Sequence, residues 1–123
     1  MNDMLWISLG AAAGANLRYG VSRWAASFSA SLPYGTLIVN VTGSLVLGFF
    51  LVWTSERVLA DPFLRPLVAV GFCGAYTTFS SYSFETFRLF EQGHYFAGFA
   101  NFAANNLACL AAVLAGAVVA RSL

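Results

Sequence analysis

Uncharged amides and hydroxyls recur at helical spacing inside the most apolar stretches of this chain. Thr36, Asn40 and Ser44 stand at i, i+4 and i+8, on one face of a helix. Asn101, Asn105 and Cys109 repeat that spacing, with Gly98 and Gly116 on the same side and Asn106 beside it. Thr77, Thr78, Ser80, Ser81 and Ser83 crowd seven positions between them. Any single Ser or Thr is accounted for by packing, since hydroxyls bond across membrane-helix interfaces. An asparagine amide is costlier to bury, with two donors and two lone pairs to satisfy. Asn40, Asn101 and Asn105 together read as a track of donors rather than as helix glue. Such a track can solvate a small anion. It cannot relay protons, because no acid or base stands among these groups.

Phe79 and Tyr82 lie three residues apart, hence on one face, among the hydroxyls. Aromatics at this spacing commonly serve as core or lipid filler. Ring edges are electropositive, however, and edges turned into a pore can touch an anion without binding it firmly. Just before them, Gly71-Phe72-Cys73-Gly74-Ala75-Tyr76-Thr77-Thr78 combines two glycines with β-branched threonines, a weak helix former. The stretch is expected to break the helix, the alternative being a flexible but continuous one. Unwound backbone at membrane depth survives only where protein or a cavity satisfies it. Its carbonyls can hold a cation, and the N-terminus of the resumed half-helix offers donors to an anion. Arg18, one turn beyond the Gly10/Gly14 packing pair, either snorkels to the interface or lines a positive vestibule, with Glu85 as a conceivable partner.

Lipid-spanning helices must position these groups. The 123 residues are 59% hydrophobic and only 9% charged, too few charges to coat a water-facing globule. Spanning takes roughly 20 helical residues. Four segments qualify: Met4 to Ala26, Tyr34 to Thr54, Pro66 to Leu89 and Tyr95 to Ala120, each approximate. The N-terminal run lacks a basic flank and a clear cleavage site, so it is expected to be a retained helix. Short polar linkers predict an up-down-up-down bundle forming one membrane domain over residues 1–123. The fold class is all-α.

All six cations are arginines, three on each side of the bundle if Arg18 is counted with its nearer end. The positive-inside rule then states no preference. Either both orientations are inserted, as an antiparallel homodimer requires, or one loop arginine dominates. A net charge of +1 offers no field to hold nucleic acid. Cys73 and Cys109, within apolar runs, read as free buried thiols. His94 sits in a linker, and no nucleophile–base pair suggests an enzyme.

The third-span run Gly71-Phe72-Cys73-Gly74-Ala75-Tyr76-Thr77-Thr78-Phe79-Ser80-Ser81-Tyr82-Ser83-Phe84-Glu85 resembles the pattern GFCGGxTTFSTFSxE of the Fluc, or CrcB, fluoride channels of microorganisms. Gly35-Thr36-Leu37-Ile38-Val39-Asn40-Val41-Thr42-Gly43-Ser44 is similar to that family's GTLxxNxxGs, and Gly14-Ala15-Asn16-Leu17-Arg18-Tyr19 to its GAxxRy. The resemblance implies an antiparallel homodimer in the bacterial inner membrane with two pores, each lined by both subunits. It implies passive export of fluoride from the cytoplasm, relieving fluoride toxicity. Asn40 would donate to fluoride and Phe79 would be the first pore aromatic. Ser80 and Ser81 would form a polar wall, and Arg18 would match the family's first-helix arginine. Gly74 and Thr77 would each give a backbone carbonyl to a sodium ion on the dimer axis.

Two departures stand out. The family's second phenylalanine is Tyr82 here, which keeps a ring and adds a hydroxyl. Asn101 and Asn105 align where the family usually presents a tyrosine and a serine. The rival reading is a small multidrug or guanidinium exporter of similar length and helix count. That fold resembles chemistry built on a membrane-embedded glutamate in the first helix, and here the first span holds no acid.

Overall fold

A computed structural model of the chain describes residues 2–29, 31–57 and 61–123. They form helices and no strand among the described residues: α1 (Asp3–Ala26), α2 (Tyr34–Ser55), α3 (π-helical over Arg65–Cys73, then α-helical over Gly74–Tyr76), α4 (Phe79–Glu91) and α5 (Tyr95–Ser122). Part of each of the first two linkers, Ala30 and Val58 to Ala60, lies outside the described residues.

The helix ends follow local chemistry. The Asn2 side chain caps α1 by accepting from the Met4 N–H at 3.2 Å, Asp3 sits in the positive first turn and Arg23 in the last. Pro33, which has no N–H to leave orphaned, precedes α2. Gly93 ends α4 at φ 79°, the one left-handed residue described. There the His94 N–H returns to the Leu89 C=O at 2.8 Å and the Gly93 N–H to Phe90 at 3.0 Å, satisfying two end carbonyls.

Contacts between the helices run in register and set their directions. An added Cβ on Gly10 would meet the Phe72 amide nitrogen at 2.8 Å, and one on Gly14 the Tyr76 nitrogen at 3.0 Å, so α1 and α3 advance together. A Cβ on Gly48 would meet Val113 Cα at 2.8 Å, and one on Gly116 the Phe49 nitrogen at 2.6 Å, so α2 and α5 are likewise parallel. Helices α4 and α5 run oppositely, with Asn101 beside Thr86 and Asn106 beside Tyr82. The result is that α1, α3 and α4 run one way and α2 and α5 the other, with backbones touching along two glycine seams. Membrane helices approach in this way because lipid supplies no hydrophobic drive between them, leaving close packing to do so.

Polarity is distributed inside out. In α5 the buried side holds Gly98, Asn101 and Asn105, while Phe96, Leu107, Leu110 and Val118 face outward. In α2 Thr36 and Asn40 are buried and Leu45 and Val46 exposed. Water would penalise this arrangement and hydrocarbon favours it. Helices α2 and α5 are each long and apolar enough to cross a membrane.

Candidate functional site

Asn40 is the hub of the interior. Its Nδ2 donates to the Thr78 C=O at 3.1 Å and to Asn105 Oδ1 at 3.0 Å, while its Oδ1 accepts from the Thr78 N–H at 2.8 Å. The amide thus pairs with Thr78 both ways, as a neighbouring peptide would. Asn105 Nδ2 donates onward to the Asn101 side-chain oxygen at 3.1 Å and to its C=O at 3.0 Å. Asn101 Nδ2 continues to Thr86 Oγ1 at 2.9 Å, and that hydroxyl donates to the Tyr82 C=O at 2.8 Å. All three asparagines are buried, and the chain of bonds ties α2, α4 and α5 together without a charge.

The bond to Thr78 lies where the backbone leaves helical geometry between α3 and α4. Thr77 (φ −86°, ψ 157°) and Thr78 (φ −151°, ψ 113°) are extended between α3 and α4. In a continuous helix the Thr78 N–H would serve the Gly74 C=O, and the Ser81 N–H would serve that of Thr77. Instead the Thr78 N–H goes to Asn40, and Ser81 N–H goes to Thr78 Oγ1 at 3.2 Å, which caps α4. Both carbonyls are therefore relieved of their helical donors. Gly74 is exposed on the single chain, and beyond its own turn the nearest atom to where its Cβ would stand is the Ala69 carbonyl oxygen, 4.0 Å away. These two oxygens suit a hard cation, which prefers carbonyl ligands. Among the described residues no group of three His, Cys, Asp or Glu side chains is placed to hold a metal.

In front of the break lies an open groove of about 310 Å³, lined by Asn40, Ser44, Thr77, Thr78, Phe79, Tyr82, Asn105, Asn106 and Cys109 among others. It contains no carboxylate, guanidinium or imidazole. The Phe79 and Tyr82 rings meet edge to face at 5.3 Å, with Phe79 76% exposed at the mouth and Tyr82 buried behind it. Asn106 Nδ2 donates to the Tyr82 hydroxyl at 3.0 Å. What this groove offers is neutral donors, ring edges and the N-terminus of α4, a combination suited to a small anion.

With this geometry in place, the chain can be compared with known proteins. Residues 5–117 match the family model described as CrcB-like protein, Camphor Resistance (CrcB). The chain belongs to the CrcB family. Within the CrcB family it is 53% identical to a relative from Koribacter versatilis (strain Ellin345), over 100% of this chain and 98% of the relative. It is 44% identical to one from Sulfurihydrogenibium sp. (strain YO3AOP1), over 100% of both, and 46% identical to one from Roseiflexus sp. (strain RS-1), over 98% of both. Each of these three CrcB relatives bears the name fluoride-specific ion channel FluC.

Of the residues singled out from sequence, Asn40, Phe79, Tyr82 and Asn105 line the groove of this CrcB chain, and Asn101 stands one bond behind them. Ser81 and Ser80 flank it through Thr78 Oγ1, at 3.1 and 3.4 Å. Thr36 is occupied elsewhere, donating to Glu85 Oε1 at 2.7 Å. That contact, and not one with Arg18, is the partnership Glu85 makes within the chain, and its Oε2 has no partner among the described residues. Arg18 is half-buried and takes part in neither ion pair described. Sequence reasoning passed over Thr78 as the cap of α4 and the partner of Asn40, and Asn106 as a partner for Tyr82. The Thr-x-x-Ser spacing was a signal for the first. Nothing beyond the adjacent asparagines marked the second.

Proposed function

We propose that this CrcB chain is a subunit of a passive fluoride-selective channel that lets the ion leave the cytoplasm and so relieves fluoride toxicity. The observation that carries the reading is full-length similarity to relatives named as fluoride-specific channels. The neutral groove supports it. Fluoride holds its water tightly, so a pore must replace that shell with donors. The N–H of Asn40 now spent on Asn105 Oδ1 is the one to exchange, because a full negative charge is a stronger acceptor than a neutral amide. Asn105, Asn101, Ser80 and Ser81 supply further polar groups, Phe79 and Tyr82 ring edges, and Arg18 and Thr36 the approaches. The proton-coupled exporter reading is disfavoured by the first span, which has no acid beyond Asp3 at its tip.

The working unit is an antiparallel homodimer inserted in both orientations as a multi-pass protein of the bacterial inner membrane, one membrane domain per chain. Its two pores are each lined by both copies. The even split of arginines supports dual insertion, and the groove's open side, with Phe79 exposed, leaves room for the second copy to complete it. Gly74 and Thr77 of each copy would hold a sodium ion through their freed carbonyls. When bound, that ion supplies a fixed positive charge at the dimer axis.

Liposomes loaded with fluoride test the reading. Purified protein is expected to release fluoride to an electrode without a proton gradient, and to release chloride far more slowly. Equal passage of both halides would end the proposal. Replacing both Asn40 and Phe79 is expected to abolish release, and unchanged flux would overturn these two assignments.

A further inference from the structure

The neighbours of the Tyr82 hydroxyl restrict where its proton can point. Asn106 Nδ2 lies 2.8 Å from the Phe102 C=O of its own helix, and a carbonyl can only accept. The nitrogen is therefore the atom facing that way. The same nitrogen lies 3.0 Å from the Tyr82 oxygen, so the hydroxyl accepts there and keeps its own proton. That proton has no acceptor among the described residues, although Tyr82 is only 6% exposed. Both residues line the groove beside Asn40 and Asn105.

By contrast, both Asn40 N–H groups are already engaged, on Thr78 and on Asn105. A donor with no acceptor among the described residues stands next to one whose donors are spent. We infer that the Tyr82 hydroxyl is a hydrogen-bond donor to the anion in this groove, and that Asn106 is the positioning residue that turns its proton inward. This rests on the fluoride-channel reading and adds a specificity-determining pair to it. An Asn106→Leu substitution leaves the hydroxyl free to rotate toward the Phe102 side, and Tyr82→Phe removes the donor altogether.

The test combines flux with an equilibrium signal that needs no transport. Half-saturating fluoride for liposome flux is measured for the original chain, N106L, Y82F and the double variant. A fluoride titration of tyrosine labelled at the ring carbon bearing oxygen is followed by NMR in detergent, the Tyr82 signal being identified by its loss in Y82F. The expected result is a rise of roughly tenfold in half-saturation for Y82F, the size of one hydrogen bond to a charge. N106L should give a smaller rise, and no further rise when added to Y82F. The Tyr82 signal should move with fluoride in the original chain and move less in N106L.

Additive shifts in the double variant would overturn the inference, since Asn106 would then act by packing alone. A Tyr82 signal indifferent to fluoride in a chain that conducts fluoride would overturn it while leaving the channel standing. A fluoride-responsive signal in a chain that does not conduct would keep the donor and remove the channel. Absence of both flux and response would overturn both.

Discussion

The glycine seams and the interruption between α3 and α4 handle the same difficulty, backbone buried away from water, by opposite means. Along α2 and α5 the backbone satisfies itself, and glycine removes side chains so that two complete helices can touch. At Thr78 the helix leaves bonds of its own unmade, and side chains replace them. Asn40 does so from across the bundle, and Thr78 Oγ1 from within the turn. The seam excludes everything between its helices. The break leaves a groove, two released carbonyls and a helix N-terminus. Rigidity is built along the seams, and polar substitution where the helix is interrupted.

The comparison can be broken most severely at the seam. Gly48→Val would drive methyl groups into the Val113 backbone, which cannot yield as a side chain could. We expect a loss above about 3 kcal/mol, read as disappearance of the monodisperse species in detergent and lowered helical circular dichroism. A well-folded Gly48→Val protein would show that the seam is looser than described.

Substitution at the hub separates support from conduction. Asn40→Leu leaves the Thr78 N–H and C=O without partners, at about 1–3 kcal/mol for each buried group. Asn40→Asp keeps the acceptor for the Thr78 N–H and, as a neutral carboxyl, offers one donor in place of the amide's two. Both variants are expected to stop fluoride release. In thermal unfolding the aspartate variant should lie nearer the original chain than the leucine variant does. The reverse order of stability would mean that the Thr78 N–H bond is not what supports the break.

The smallest effect is expected at the cap. Thr78→Val removes the acceptor for the Ser81 N–H while keeping the side chain's shape, at about 1 kcal/mol, and Thr78→Ser should restore most of it. Denaturant titration would detect the difference. Equal destabilisation by valine and serine would point to packing of the threonine methyl instead of the cap.

Much of this was legible in one dimension. The polar face of Thr36, Asn40 and Ser44 was plain from spacing, as was the matching face of α5, because helical periodicity alone decides which residues share a side. The weak stretch from Gly71 to Thr78 was visible because glycine and β-branched residues lower helix propensity through local effects. Which polar groups meet was not visible. Glu85 sits with Thr36, 49 residues away, where sequence offered Arg18 as its partner. The π-helical winding of Arg65–Cys73 was not read from composition.

The residue order alone established an apolar chain of helices with buried neutral amides, because lipid tolerates only backbone whose polar groups are satisfied within the protein and too few charges exist for any other solvent. Pairing was settled only in three dimensions. A hydrogen bond fails over less than an ångström, and the rotation of each helix about its axis, which sets that distance, comes from packing along the glycine seams and not from any local run of residues. Asn40 reaching Thr78, and Asn106 holding Tyr82, are decisions of that packing.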